Sequence, residues 1–72
     1  MTPKQIKAAR ALAGWSRPDL AKAAGVSGST IKNLESGKFE PRRAIAAAVE
    51  RAFQEIGVAF TEGGVTKTDR SD

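Results

Sequence analysis

Residues 16–38, SRPDLAKAAGVSGSTIKNLESGK, hold two short helices and the turn between them, and the way those helices must meet decides the fold. Ser16 is a helix N-cap, Pro18 lies inside the first turn, and Asp19 stands three residues after the cap, where its carboxylate can reach back to the cap's own N–H. Leu20, Ala21, Ala23 and Ala24 carry this helix forward, and Gly25 stops it. Ser27 caps the next helix, Ile31 and Leu34 give it an apolar edge, and Gly37 ends it. A connection of only three or four residues makes the two helices cross steeply, at roughly 90–120°. Such a crossing requires small residues at the contact. Ala21 suits the closest approach, Gly25 supplies a positive φ, and Leu20, Ala24, Val26, Ile31 and Leu34 fill the wedge.

The same signals recur on either side. Thr2-Pro3-Lys4-Gln5 opens a helix with a Thr cap, Pro at the first helical position and Gln5 closing a capping box. Ile6, Ala9, Leu12 and Ala13 then make one apolar face before Gly14. After a loop from Ser36 to Pro41, in which Phe39 is either a core plug or a contact to the backbone or a partner, Ile45, Val49, Ala52, Phe53 and Ile56 form the stripe of a fourth helix that stops at Gly57. Helices are therefore expected at residues 3–13, 17–24, 28–36 and 42–56. Val58 to Thr61 is either a short strand or a segment packed back on the core. From Glu62 onward the residues are too polar to stay ordered alone. The expected architecture is an all-α, compact four-helix domain over residues 1–60, with a short extended segment and a flexible tail at 61–72.

Composition narrows the chemistry. Seventy-two residues make one domain with a small core, since a chain of this size buries only about 60% of its unfolded surface. There is no Cys and no His, which removes zinc-finger ligand sets, disulfide frameworks and imidazole general bases. No glycine-rich phosphate loop or pair of carboxylates on one face offers another catalytic arrangement, so neither an enzyme, a cofactor nor a metal site is expected. The longest apolar run, Ala44 to Val49, is too short to span a bilayer, and a cytoplasmic location is the expectation. Charge is asymmetric. Residues 1–43 carry nine Lys or Arg against Asp19, Glu35 and Glu40, whereas residues 44–72 carry three against five acids. A basic front and a mildly acidic back point to one face meeting a polyanion.

The helix beginning after Ser27 shows what that face could do. With Ile31 and Leu34 turned inward, Gly28, Ser29, Lys32 and Asn33 face out. Asn pairs bidentately with adenine, Lys donates to guanine and Ser contacts either. The alternative for Lys32 and Asn33 is an ordinary solvated helix face. Arg42 and Arg43 oppose the dipole of the helix they open, which favours an anion there over simple solvation. Trp15 reads as packing rather than as a base-stacking residue.

Arg17 to Ser36 resembles the helix-turn-helix of the phage repressor, Cro and XRE-type regulators: a polar residue opening the second helix, then Leu20-Ala21, the turn Gly25, Val26-Ser27, Thr30-Ile31, Leu34-Glu35 and Gly37. The resemblance extends to the first and fourth helices and leaves out the tail. It implies a lambda-repressor-like fold in which Arg17, Ser36, Gly37 and Lys38 hold phosphates, joined by Arg42 and Arg43. It implies that Ser27, Gly28, Ser29, Lys32 and Asn33, on a recognition helix of about residues 28–36, meet base edges in the major groove. It also suggests a buried ion pair between Arg10 and Glu35. The chain departs from the usual pattern at Arg17, most often Gln in relatives, and at Gly28, which has no side chain to read with. The functional expectation is a repressor-like transcriptional regulator that binds double-stranded operator DNA as a homodimer. Its self-association would run through the fourth helix and Val58 to Phe60, with Val58 to Thr61 pairing as a small antiparallel ribbon with a two-fold mate and Ile56 or Phe60 in the contact. The alternative is a protein-interaction module, such as an antitoxin or anti-repressor component, with a protein partner.

Overall fold

A computed structural model describes residues 1–38 and 40–67 of the chain. Four helices, α1 (Pro3–Ala13), α2 (Arg17–Ala24), α3 (Gly28–Ser36) and α4 (Arg43–Gln54), are followed by two strands, β1 (Val58–Thr61) and β2 (Gly64–Lys67). The reading of Phe39 as a plug lies outside the described residues, as does the end of the expected tail, residues 68–72.

The first three helices begin where their caps stand. Thr2 Oγ1 accepts from the Gln5 N–H at 3.1 Å and Gln5 Oε1 accepts from the Thr2 N–H at 2.7 Å. Ser16 and Asp19 form the same reciprocal pair at the start of α2. Ser27 Oγ accepts from the Thr30 N–H at the start of α3. Gly25 ends α2 at φ 73°, a left-handed conformation that would strain a residue with a Cβ, and this lets the Val26 N–H return to the Ala21 carbonyl at 2.9 Å. α4 starts differently, because Arg42 occupies its cap position and offers no side-chain acceptor. Its far end is shorter than the expected residue 56. After Gln54 the chain tightens into three-residue turns, Ile56 N–H to Phe53 O and Gly57 N–H to Gln54 O, before Gly57 turns it out at φ 85°.

The core is small and built mainly of helix faces: Ile6 and Ala9 of α1, Leu20, Ala21 and Ala24 of α2, Ile31 and Leu34 of α3, and Val49, Ala52 and Phe53 of α4, closed by Val58 of β1. Phe53 lies at its centre. Trp15 stacks on it with ring centroids 5.3 Å apart, and Phe60 meets it edge-on at 5.7 Å. Trp15 is thus a half-buried packing residue.

The region after the fourth helix corrects the all-α expectation and, as far as Lys67, the tail. β1 and β2 pair antiparallel, with Val58 opposite Lys67 and Thr61 opposite Gly64, around the two-residue turn Glu62-Gly63. Gly63 takes φ 88°, which the turn needs and only glycine adopts at little cost. The hairpin packs on α1, and β1 also on α4. Its anchor is Gln5, whose Nε2 donates to the carbonyls of Thr61 at 2.7 Å and Gly64 at 2.9 Å. The expected ribbon with a two-fold mate involves the same strand, which here has a partner within its own chain. β1 pairs within its own chain, Val58 is wholly buried, and Phe60 lies against Phe53, so these residues close the monomer's core.

Candidate nucleic-acid interface

α3 is amphipathic in the plainest way. Ile31, Leu34 and Glu35 are buried, while Gly28, Ser29, Lys32, Asn33 and Ser36 are exposed. The exposed positions 29, 32, 33 and 36 follow the three- and four-residue spacing of a single helix face. Thr30 sits at the margin, half-buried.

The side chains on that face are not equally free. Ser27 Oγ accepts from the Thr30 N–H at 3.1 Å and lies 2.9 Å from Thr30 Oγ1, so its hydroxyl serves the cap. Ser36 Oγ donates to the Asn33 carbonyl at 2.8 Å and accepts from the Lys38 N–H at 3.3 Å, which draws it into the end of the helix. Gly28 presents only backbone, and a Cβ built there would meet nothing within 4 Å. Ser29, Lys32 and Asn33 are left with side chains unengaged within the described protein. Of the five residues expected to meet bases, three can project a functional group and two cannot.

The cationic residues border this face. Gly37 and Lys38 follow the end of α3 and are exposed, as are Arg42 and Arg43 at the start of α4. Arg42 lines a shallow groove between α3 and α4 together with Thr30, Asn33, Pro41 and Ile45, so it lies beside a candidate base reader. Glu40 lines the same groove. Sequence reasoning passed over both Thr30 and Glu40. Thr30 stands three residues before Asn33, a spacing that could have flagged it, whereas Glu40 reaches the groove only through the course of the loop.

Beneath the face, Glu35 is the pivot. Its side chain is 0% exposed and accepts three charge-assisted hydrogen bonds: Arg10 Nε at 2.6 Å, Arg10 Nη2 at 3.0 Å and Arg17 Nε at 3.1 Å. Arg10 Nη1 donates to the Trp15 carbonyl at 3.2 Å, so this guanidinium ties α1 to both α3 and the α1–α2 connection. Burial pushes the Glu35 carboxyl toward neutrality, but the bonds from Arg10 and Arg17 outweigh it and hold the group below its ordinary range. Asp19 is also held low, by the Ser16 backbone N–H first and the Ser16 hydroxyl second, with Lys22 adding attraction. Arg17, expected as a phosphate holder, is therefore engaged on one side with Glu35 while its side chain stays 46% exposed.

Among the described residues no group of acids could hold a metal, and no helix is long and apolar enough to cross a membrane. No curated protein matches the chain in sequence. The family model described as Helix-turn-helix matches residues 6–59, from the first buried apolar residue of α1 into β1. The caps of α2 and α3, the two helices that they open and the turn between them all lie inside that span, and the chain belongs to the helix-turn-helix family of XRE and Cro/C1-type DNA-binding regulators.

Proposed function

We propose that the chain is a sequence-specific, repressor-like regulator that lays α3 in the major groove of an operator. The observation that carries this reading is the α3 face itself: five successive outward positions are exposed while every apolar residue of the helix is buried. An α-helix fits the width of the major groove, and only there does each base pair show a distinct donor and acceptor pattern. Ser29, Lys32 and Asn33 are the readers. Lys32 suits guanine O6 and N7, Asn33 suits adenine N6 and N7, and Ser29 contacts either base. Ser27 and Gly28 contribute helix-end backbone, whose N–H groups favour a phosphate over a base edge. Arg17, Ser36, Gly37, Lys38, Arg42 and Arg43 hold the sugar-phosphate backbone and set the register of the helix.

Three reading side chains cover only a few base pairs, too few to select one site among on the order of 10⁶ competitors in a genome. Two copies related by a two-fold axis, with recognition helices about 34 Å apart, would read a palindrome and supply the missing information. The working form on DNA is therefore a homodimer.

The test is titration of the purified protein against a random-sequence duplex and against duplexes enriched from a randomised pool, each at two salt concentrations, with sedimentation of the complexes. Enrichment of a palindrome bound by two chains, with affinity falling steeply in salt, is the expected result. A protein that enriches no sequence and binds duplex DNA independently of salt would overturn the reading.

A further inference from the structure

Arg17 differs from the other exposed cations in how it is held. A guanidinium carries five N–H donors. Arg17 uses the one on Nε, donated to Glu35 Oε1 at 3.1 Å, and the four on Nη1 and Nη2 have no protein partner among the described residues. Arg10 binds the same carboxylate through two of its nitrogens and is only 20% exposed, so it answers the buried charge by itself. Two guanidiniums on one carboxylate leave an unbalanced positive charge, and it resides on the more exposed of the two. Arg42 and Arg43 make no ion pair among the described residues.

We propose that Glu35 is a positioning residue for DNA binding, holding Arg17 by Nε so that its Nη1 and Nη2 edge faces outward for a backbone phosphate. The proposal rests on the reading of the chain as a DNA binder. A long side chain fixed before binding loses less freedom on contact, and a planar fork bound along one edge retains a second edge for a tetrahedral anion. The buried carboxylate then serves two ends: it closes the joint between α1 and α3 through Arg10, and it aims a cation that lies outside the core. Arginine is required for this arrangement, because a lysine ammonium is a single point of charge and cannot hold a carboxylate and a phosphate on separate edges.

Two measurements test it. In the free protein, side-chain ¹⁵N relaxation and hydrogen exchange at arginine Nε should show Arg17 ordered and slow to exchange, with Arg42 and Arg43 mobile. An Arg17 as mobile as Arg43 would overturn the proposal, whatever the protein binds. The second is a cycle of affinities for a random-sequence 24-base-pair duplex, a probe suited to a contact that reads no base. Arg17→Lys should bind about three- to tenfold more weakly than wild type with the salt dependence nearly unchanged. Glu35→Gln should lose a similar factor in the wild-type background and lose nothing further in Arg17→Ala. Equal losses from Glu35→Gln in both backgrounds would mark Glu35 as purely structural, and an Arg17→Lys protein that binds as well as wild type would equally refute its positioning role. Should Glu35→Gln fail to fold, Arg17→Lys, which leaves the Arg10–Glu35 pair in place, and the relaxation data decide the matter. A wild type that binds no duplex at all would instead refute the DNA-binding reading, and the relaxation measurement would still test the geometry.

Discussion

Gln5→Ala tests the most unexpected joint in the fold. Gln5 is buried and makes three side-chain hydrogen bonds: its Oε1 accepts from the Thr2 N–H, and its Nε2 donates to the carbonyls of Thr61 and Gly64. The substitution removes all three and spares the Thr2 Oγ1 cap, which uses the backbone N–H of residue 5. A net value of about 0.5–1.5 kcal/mol per bond gives about 1.5–4.5 kcal/mol, and water reaching the partly exposed partners draws this toward about 2–3 kcal/mol. A domain of this size has only about 3–5 kcal/mol from its core, so the loss is a large share of its stability. It should fall unevenly. The two carbonyls belong to the residues flanking the hairpin turn, so β1 and β2 should open first while α2 and α3 stay protected. Denaturant titration would give the global loss, and amide exchange would show where it falls. Hairpin amides exchanging as slowly in Gln5→Ala as in the wild type would refute the reasoning.

Gln5→Glu sharpens the test. The introduced carboxylate can still accept from Thr2, but it faces two carbonyl oxygens to which it has no proton to donate. The hairpin should be more disrupted than in Gln5→Ala at neutral pH, and should recover as pH falls and the carboxyl becomes a donor again. Stability that is independent of pH in this variant, relative to wild type, would argue against the geometry.

Further outcomes follow from the site. Losing Arg10 or Glu35 singly should cost about 2–4 kcal/mol, more than replacing both with apolar residues, as chemical denaturation of the cycle would show. Because Glu35 is held below its unfolded pKa of about 4.3, its contribution is fully present above that value and is lost as pH falls through the lower folded one, so wild type should lose stability on acidification where a variant lacking the pair loses less. Gly28→Ala should raise stability by a few tenths to about 1 kcal/mol in thermal melts, since the position is helical and open; a loss would show that the bare backbone there is required. Lys32→Ala and Asn33→Ala should change base preference by about 1–3 kcal/mol in selections from a randomised duplex pool. Lys38→Ala and Arg43→Ala should weaken all sequences alike and lower the salt slope by about 0.9 each; four variants with one phenotype would contradict the division into readers and holders.

What could be read from the sequence, and what could not, follows the distance over which each residue acts. The caps at Thr2, Ser16 and Ser27 and the stops at Gly14 and Gly25 work through bonds spanning three to five residues, Gly37 stops its helix through its own left-handed φ, and helix boundaries drawn from them need no knowledge of the rest of the chain. α4 lacks such a cap and ends in tightened turns, and there the boundaries shift by one and two residues. The hairpin is the opposite case. Gly64 to Lys67 has one apolar residue, too little to hold a strand on local grounds, and the groups that secure its turn are on Gln5, fifty-six and fifty-nine residues away. Gln5 had already been accounted for by its capping box, and nothing local shows that an amide has a second edge in use.

Arg17 repeats that lesson at the site. The family resemblance makes it a phosphate holder, and its partly exposed side chain suits that role. Its bond to Glu35 depends on the packing of α2 against α3, which brings the start of one to the end of the other. Gln5 divides its polar atoms between two structural neighbours, and Arg17 engages one edge with Glu35 while its Nη atoms have no partner among the described residues; one-dimensional reading recovers one role for each. Ser27 and Ser36, expected among the contacts, show the reverse: their hydroxyls also make bonds within three residues of themselves that a linear reading of the contact face leaves out. The candidate interface therefore has Ser29, Lys32 and Asn33 as the unengaged side chains at its centre, while its border keeps an arginine bonded from below by Glu35. A surface with few readers and a prearranged phosphate clamp should show high affinity for duplex DNA in general and modest discrimination per half-site, and on those terms sequence selection has to come from pairing two half-sites.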